Sequence, residues 1–411
     1  MRSTISLMIP SFCVSVALGL AAGAVPTLAG AAEAEKVAVA DSMFQAPAGA
    51  GQLPAPFPAQ RPRIDVVFVL DTTGSMDGLI AGAKAKIWSI ANHLATAKPA
   101  PLIRMGLVGY RDRGDEYVTT VTPLTDDLDA VYGKLMGFAA GGGGDGPESV
   151  NQALDEAVTR VAWSPDPAVY KVMFLVGDAP PHMDYANDIL YPQTCTAAVR
   201  AGIVINTIQC GAAADTHTIW QDIAQRSAGA YAQVEQDGGA VEVATPYDAD
   251  MARLSALVET TRVYYGDARQ QMVAKARVDA AKEVCASAPV SAVASRAAYN
   301  ACPAGAANFA GRQELVADDA AGSVQVEALP SEQLPLEWRE LDAGTRKAKL
   351  AVLTARRQEL QQQISDLQKL RGVYIAAELA KSGGKADQAF DAAIVKGTTE
   401  QAARKGIVLG K

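Results

Sequence analysis

Several things are scarce or missing in this chain, and each shortage removes a class of function. The 411 residues contain only three histidines, His93, His182 and His217, too scattered to assemble a histidine-rich zinc centre. No C-x-x-C pair occurs, so thiolate metal knuckles and dithiol redox motifs are absent. Neither G-x-x-x-x-G-K-[ST] nor G-x-S-x-G is present, which removes P-loop nucleotide binding and α/β-hydrolase chemistry. The formal charge is −8 and no basic cluster relieves it, which argues against nucleic acid and against an anionic membrane surface. Beyond the N-terminus no run is long and apolar enough to cross a bilayer, and no repeat of solenoid period appears.

What is present suggests an exported chain of two domains. Met1-Arg2, an apolar stretch from Ile5 to Val25, and Ala29-Gly30-Ala31 together have the form of a secretory signal peptide over 1–31. Pro10 and the small flanking residues disfavour a retained membrane anchor, and no Leu-Ala-Gly-Cys lipidation box follows. The expected location is therefore periplasmic or secreted. Removing the signal takes Cys13 and leaves Cys195, Cys210, Cys285 and Cys302. An even number in an exported chain suggests two disulfides, with three possible connectivities. Cys195 and Cys210 are expected at one edge of a sheet, so the pairing anticipated is Cys195 with Cys210 and Cys285 with Cys302.

Residues 32–62 are rich in Ala, Pro and Gly and read as a flexible tether. From 63 to 263, apolar strand-like runs (64–70, 103–110, 117–122, 169–176, 203–209, 230–234) alternate with helix-like segments (78–96, 128–137, 147–163, 192–201, 216–228). Short, fully apolar strands separated by helices predict an α/β fold, a mostly parallel sheet covered on both faces. Residues 264–411 predict a helical region. There 251–288 reads as helix, 289–335 as mixed and loop-rich, and 338–381 as one long helix. Along that helix Leu350, Leu353, Leu360, Ile364, Leu367 and Tyr374 approximate a coiled-coil seam interrupted by Arg357 and Arg371. Two uses of the seam are open: a homodimer, or packing on the chain's own helices. A break at Ser382-Gly383-Gly384 precedes a short amphipathic end.

Chemistry concentrates where the predicted strands end. The run Ile64–Leu70 delivers Asp71, Thr73 and Ser75 at alternating positions, so one carboxylate and two hydroxyls are expected to converge. Hard oxygens of this kind begin a Mg²⁺ or Mn²⁺ site. The pattern resembles the D-x-[ST]-x-S loop of von Willebrand factor type A (VWA) domains, whose metal-ion-dependent adhesion site (MIDAS) binds a divalent cation. A second loop, Gly141-Gly142-Gly143-Gly144-Asp145-Gly146-Pro147-Glu148, is similar to the D-x-P-E form of integrin β subunits. By that resemblance Glu148 is a direct ligand and Asp145 a neighbouring or water-mediated one. The bland alternative is a Gly-rich turn with an Asp N-cap. A third loop, Val176-Gly177-Asp178-Ala179-Pro180-Pro181-His182, resembles the third MIDAS loop, with Asp178 acting through water or by its charge. Gly177 stands where a Thr is usual. The resemblance further implies a Rossmann-like fold and an open coordination position for a partner's carboxylate. The integrin β type has extra acidic residues for an adjacent cation; Gly78 and Leu79 stand there, so no such site is expected. As a whole the chain is similar to bacterial secreted proteins that contain a VWA domain.

With three carboxylates so placed, the metal-free site should hold at least one as the acid, and metal binding should depend on pH. The expected function is metal-dependent, adhesion-type binding of a protein ligand in the cell envelope, without catalysis. Two alternatives stand beside it: a metal-dependent hydrolase with His182 as base, and a scaffold acting through the C-terminal helix. Arg113-Gly114-Asp115 spells an integrin-recognised tripeptide, but Arg111 and Asp112 on the same turn favour a surface ion-pair cluster.

Overall fold

A computed structural model describes residues 61–144, 146–240, 242–381 and 389–410. The expected signal peptide, nearly all of the tether, Asp145 and the break at 382–384 lie outside the described residues.

Six strands form one sheet: β1 (Arg63–Asp71), β2 (Leu102–Tyr110), β3 (Thr119–Thr125), β4 (Tyr170–Gly177), β5 (Ile203–Cys210) and β6 (Tyr231–Val234). Their order is β3-β2-β1-β4-β5-β6, with only the β2–β3 pairing antiparallel. Between them run α1 (Asp77–Leu94), α2 (Leu128–Met136), α3 (Val150–Thr159), α4 (Tyr191–Ala201) and α5 (Ala214–Arg226). β1 and β4 sit at the centre and are buried on both faces, hence their mostly apolar sequence, interrupted only near the start by Asp65 and Lys171. One face of β1, with Val66, Phe68 and Leu70, packs on Leu79, Ile87 and Trp88 of α1. The other, with Val67 and Val69, packs on Ala153 and Leu154 of α3 and Trp220 of α5. The chain leaves β1 toward β2 on one side and later returns to β4 on the other. This reversal leaves a crevice at the carboxyl ends of β1 and β4, the place where open α/β sheets bind ligands.

The helical region comprises α6 (Asp248–Glu259), α7 (Ala268–Ser287), α8 (Val290–Ala301), α9 (Ala306–Ala310), α10 (Leu315–Ala320), α11 (Leu336–Arg339), α12 (Ala343–Ala380) and α13 (Phe390–Ala403). Several expectations need correcting. The stretch 251–288 is broken after Glu259, and α7 starts afresh on a capping box between Asp267 and Gln270. The loop-rich stretch hides α8, whose Ala and Ser residues pack on α1 and α6. The long helix begins at Ala343, where the Asp342 carboxylate accepts from Thr345 N at 3.0 Å. Pro147 does not open a helix; α3 begins at Val150.

The seam of α12 is buried within its own chain. Leu360 and Ile364 pack on Met251, Leu254 and Ala297, while Leu350 packs on Val263, Leu315 and Trp338. The two arginines that interrupt it are buried with it. Arg357 donates to both oxygens of Glu314 (2.7 and 2.9 Å) and to Thr261, and Arg371 Nε donates to Asp248 Oδ1 at 2.6 Å. After the undescribed stretch, α13 returns to the sheet and sets Phe390 and Ile394 into the same core as Phe68 and Leu70.

The disulfide expectation is overturned, because all four described cysteines are free. Cys195 and Cys210 belong to the cores on opposite faces of the sheet, which therefore lies between them. Cys285 lines a cleft with Glu259 and Arg296, whereas Cys302 packs against the α1 core. Burial raises the thiol pKa of both buried cysteines, that of Cys195 to about 11.

Candidate metal centre

Asp71 is the last residue of β1 and is fully buried. Its Oδ1 accepts from Thr73 N (2.9 Å) and Thr73 Oγ1 (2.7 Å), whereas Oδ2 has no hydrogen-bond partner among the described residues. The three loop residues converge by a turn and not by strand alternation. Thr73 remains extended, but Gly74–Met76 is a turn of 3-10 helix that brings Ser75 Oγ to 3.5 Å from Thr73 Oγ1. Ser75 is exposed, so the loop's deepest oxygens belong to a carboxylate and its outermost to a hydroxyl.

The glycine loop closes over this turn through its backbone. Gly141 N donates to Thr72 O (3.1 Å), and Gly74 N donates to Gly142 O (3.2 Å). Gly142 and Gly143 adopt positive φ, +76° and +78°. A Cβ on Gly143 would lie 3.0 Å from Glu148 Oε1 and 3.1 Å from Thr73 Cβ, so its absence lets the first two loops meet. Glu148 is buried and its Oε2 is also without a partner among the described residues. Its backbone joins the third loop: Glu148 N donates to Pro180 O (2.9 Å) and His182 N to Glu148 O (3.1 Å).

Asp178 follows β4 at the same end of the sheet and is half-buried. Its Oδ2 accepts from Gln236 Nε2 at 2.7 Å, and its carbonyl accepts from Thr216 Oγ1 at 2.9 Å. Thr73, Ser75, Gly143, Glu148, Asp178 and Thr216 line one open cleft of about 460 Å³. The structure thus brings five of the six expected residues to a single place; the sixth, Asp145, is outside the described residues. Among those described, no group of three or more His, Cys, Asp or Glu side chains is disposed to hold an ion. The donor set is mixed: carboxylates from Asp71 and Glu148 with hydroxyls from Thr73 and Ser75. Two buried, partnerless carboxylate oxygens beside hydroxyls are what a hard divalent cation requires, so the residues fit such an ion.

The electrostatics agree. Burial, reinforced by the charge of Asp178 and opposed by the Thr73 hydrogen bonds, pushes Asp71 up to about 7. Burial, together with Asp71, Asp112, Asp115 and Asp178, pushes Glu148 up to about 9. Buried carboxyls take up protons when no cation balances them.

Residues not read as part of the site hold it together, and Arg111 and Asp112, expected in a surface ion-pair cluster, are instead buried. Arg111 is buried and donates to Thr72 O (3.1 Å) and Ala139 O (2.8 Å), strapping the first loop to the start of the second. Asn151 on α3 clamps the third loop, donating to His182 O (2.6 Å) and accepting from Tyr191 N (2.8 Å). Tyr110 ends β2 beside Asp71 and is fully buried. None carries a local signal, because each acts through contacts distant in sequence. The Arg113-Gly114-Asp115 turn is spent internally. Arg113 pairs with Asp188 and lies 3.9 Å above the Tyr185 ring, and Asp115 accepts from Asp112 N and Gly143 N. His182 is buried, with Nδ1 2.8 Å from Asp184 Oδ1 and Nε2 3.4 Å from Asp112 Oδ2, and stacks on Tyr185.

Residues 65–245 match the family model of the von Willebrand factor A domain. Among solved structures, proximal thread matrix protein 1 from the mussel byssus aligns with 17% identity over 43% of this chain and 43% of its own, with a TM-score of 0.34. A further structure of it, described as having a zinc-occupied MIDAS motif, aligns at 18% identity over the same shares, with a TM-score of 0.35. The SpRpn10 VWA domain aligns at 12% identity over 43% of this chain and 89% of its own, with a TM-score of 0.33. The aligned region thus spans less than half the length of the mussel protein. A search of curated proteins found no match. Residues 65–245 of this chain are thus similar to a von Willebrand factor A domain, and the chain has a mostly parallel Rossmann-like sheet with a helical region beyond it.

Proposed function

We propose that this protein is a divalent-metal-dependent protein-binding module. Asp71, Thr73, Ser75 and Glu148 are its metal ligands, with Asp178 and Asp145 contributing through water or charge. The observation that carries this reading is the pair of buried, partnerless oxygens: Glu148 Oε2, whose residue lines the hydroxyl-bearing cleft, and Asp71 Oδ2, whose residue is hydrogen-bonded to the cleft-lining Thr73. A bound Mg²⁺ or Mn²⁺ supplies positive charge and one exchangeable coordination position. Because Ser75 is exposed, an ion held there would be accessible to a partner's carboxylate, so an acidic segment of another protein is the ligand class. The N-terminal sequence supports an exported protein of the periplasm or outside the cell, with adhesion or envelope assembly as the setting. No helix among the described residues is long and apolar enough to cross a membrane.

The hydrolase alternative needs a base facing the cleft. His182 does not line it, and both ring nitrogens are directed to aspartates. A homodimer through α12 would have to rely on Val352, Leu370 and Val373, since the central residues of the seam are already buried.

The test is calorimetric titration of the chelator-treated full chain with Mg²⁺ and Mn²⁺, beside Asp71→Ala. Saturable binding that the variant loses, followed by metal-dependent retention on an acidic peptide, is the expected outcome. No heat of binding at millimolar metal would overturn the reading.

A further inference from the structure

The turn between β2 and β3 carries no expected ligand, yet all three site loops are fastened to it. Arg111 donates to the first loop at Thr72 O and to the start of the second at Ala139 O. Asp115 Oδ2 accepts from Asp112 N at 3.1 Å and from Gly143 N at 3.0 Å, so the turn also grips the glycine run. The carboxylate of Asp112 joins the remaining parts. Its Oδ1 accepts from Ser149 Oγ at 2.8 Å, one residue after Glu148. Its Oδ2 accepts from the Tyr185 hydroxyl at 2.8 Å, on the loop that follows Asp178, and His182 Nε2 lies 3.4 Å from the same oxygen.

Asp112 and Ser149 are both buried. A buried carboxylate is tolerated where its oxygens are hydrogen-bonded, and bonds to a charged acceptor are stronger than neutral ones. Placing one oxygen on the second loop and the other on the third fixes the separation of the two. Glu148 sits between them. Its N–H donates to Pro180 O and its carbonyl accepts from His182 N, both on the third loop. The next residue, Ser149, donates through its backbone N to Arg111 O (3.3 Å) and through Oγ to Asp112. The backbone that carries Glu148 is thus clamped by the third loop on one side and by 111–112 on the other.

We propose that Asp112 is a positioning residue of the metal centre: by pinning Ser149 with one oxygen and Tyr185 with the other, it holds the Glu148 carboxylate at the cleft. This rests on the metal-binding reading above. Groups hydrogen-bonded behind metal ligands set the geometry of those ligands, and removing one weakens metal affinity about 10- to 100-fold.

The test uses the full chain, with Mg²⁺ and Mn²⁺ as the probes, titrated well below the unfolding temperature so that lost stability alone does not move the result. Asp112→Asn should weaken metal binding about 10-fold or more. That variant also removes a charge near the ion, so Tyr185→Phe and Ser149→Ala are titrated beside it; each removes one pin and keeps the charge. At least one of them should weaken binding too. Adding Tyr185→Phe to Asp112→Asn should bring no further loss, because both break the same link. Asp112→Asn binding metal within about twofold of the wild type would overturn the proposal and leave the metal site standing. So would a loss confined to Asp112→Asn, or a double variant in which the two losses add. A wild type that binds no metal would overturn both readings. Should Asp112→Asn fail to fold, the single-pin variants decide: weaker binding in either supports the proposal, and unchanged binding in both overturns it.

Discussion

Asp71 and Glu148 each keep one buried carboxylate oxygen without a partner among the described residues, and the charge of Asp71 adds to burial in holding Glu148 protonated. The buried Arg111 donates to carbonyls of Thr72 and Ala139 and not to either carboxylate. The pair is stable as two acids or around a cation, and poorly as two bare anions.

A pH dependence follows, with a definite sign. Burial raises Asp71 from 3.8 to about 7 and Glu148 from 4.5 to about 9. Across that window the folded state holds protons that the unfolded chain has released. The stability these groups contribute is therefore complete below about pH 4 and declines as pH rises through 7 and then 9. A divalent ion needs both groups ionised, so saturating Mg²⁺ should flatten or reverse the slope. Thermal unfolding from pH 5 to 9, with and without metal, measures this. A metal-free melting temperature that climbs across the range would contradict it.

Phe390 of α13 completes the α/β core. It is fully buried beside Phe68, Leu70, Ile87 and Leu135, and its N–H donates to Gly238 O at 3.0 Å. Phe390→Ala should cost about 3–5 kcal/mol, the range for a large buried aromatic. Denaturant unfolding reads it; a loss below about 1 kcal/mol would mean that α13 is dispensable to the sheet.

Arg357 and Arg356 are neighbours with opposite fates. Arg357 is buried against Glu314 and Thr261, whereas Arg356 pairs with Glu359 in solvent. Arg357→Ala strands the Glu314 charge and should cost about 3–5 kcal/mol. Arg356→Ala should cost about 1 kcal/mol or less. Equal losses in chemical denaturation would refute the difference in burial.

Free cysteines are directly countable. The denatured, unreduced protein should titrate with a thiol reagent at Cys195, Cys210, Cys285 and Cys302 alike. Peptide mapping that finds Cys195 joined to Cys210 would contradict the opposite-face placement, and any other disulfide would contradict the free thiols.

The first and third site loops were legible because their information is local. A fully apolar run that ends in Asp-x-Thr-x-Ser or Gly-Asp declares both a buried parallel strand and the oxygens at its mouth. The run of glycines at 141–144 marks a backbone that must approach closely, as Gly143 does between Thr73 and Glu148. Strand limits lay within about two residues at most ends for the same reason. Helix α8 escaped notice because Ala and Ser give little contrast between faces, although nearly all of it is buried.

The sequence alone therefore determined the alternation of strands and helices, the mouths of the strands and the residue types placed there. Periodicity and turn chemistry act over a few residues at a time. Only the tertiary structure decided that Cys195 and Cys210 face apart, that Arg357 belongs inside, and that α13 seals the sheet. Each of these depends on which residues meet across strand register and helix packing, a relation between distant segments that no local pattern encodes.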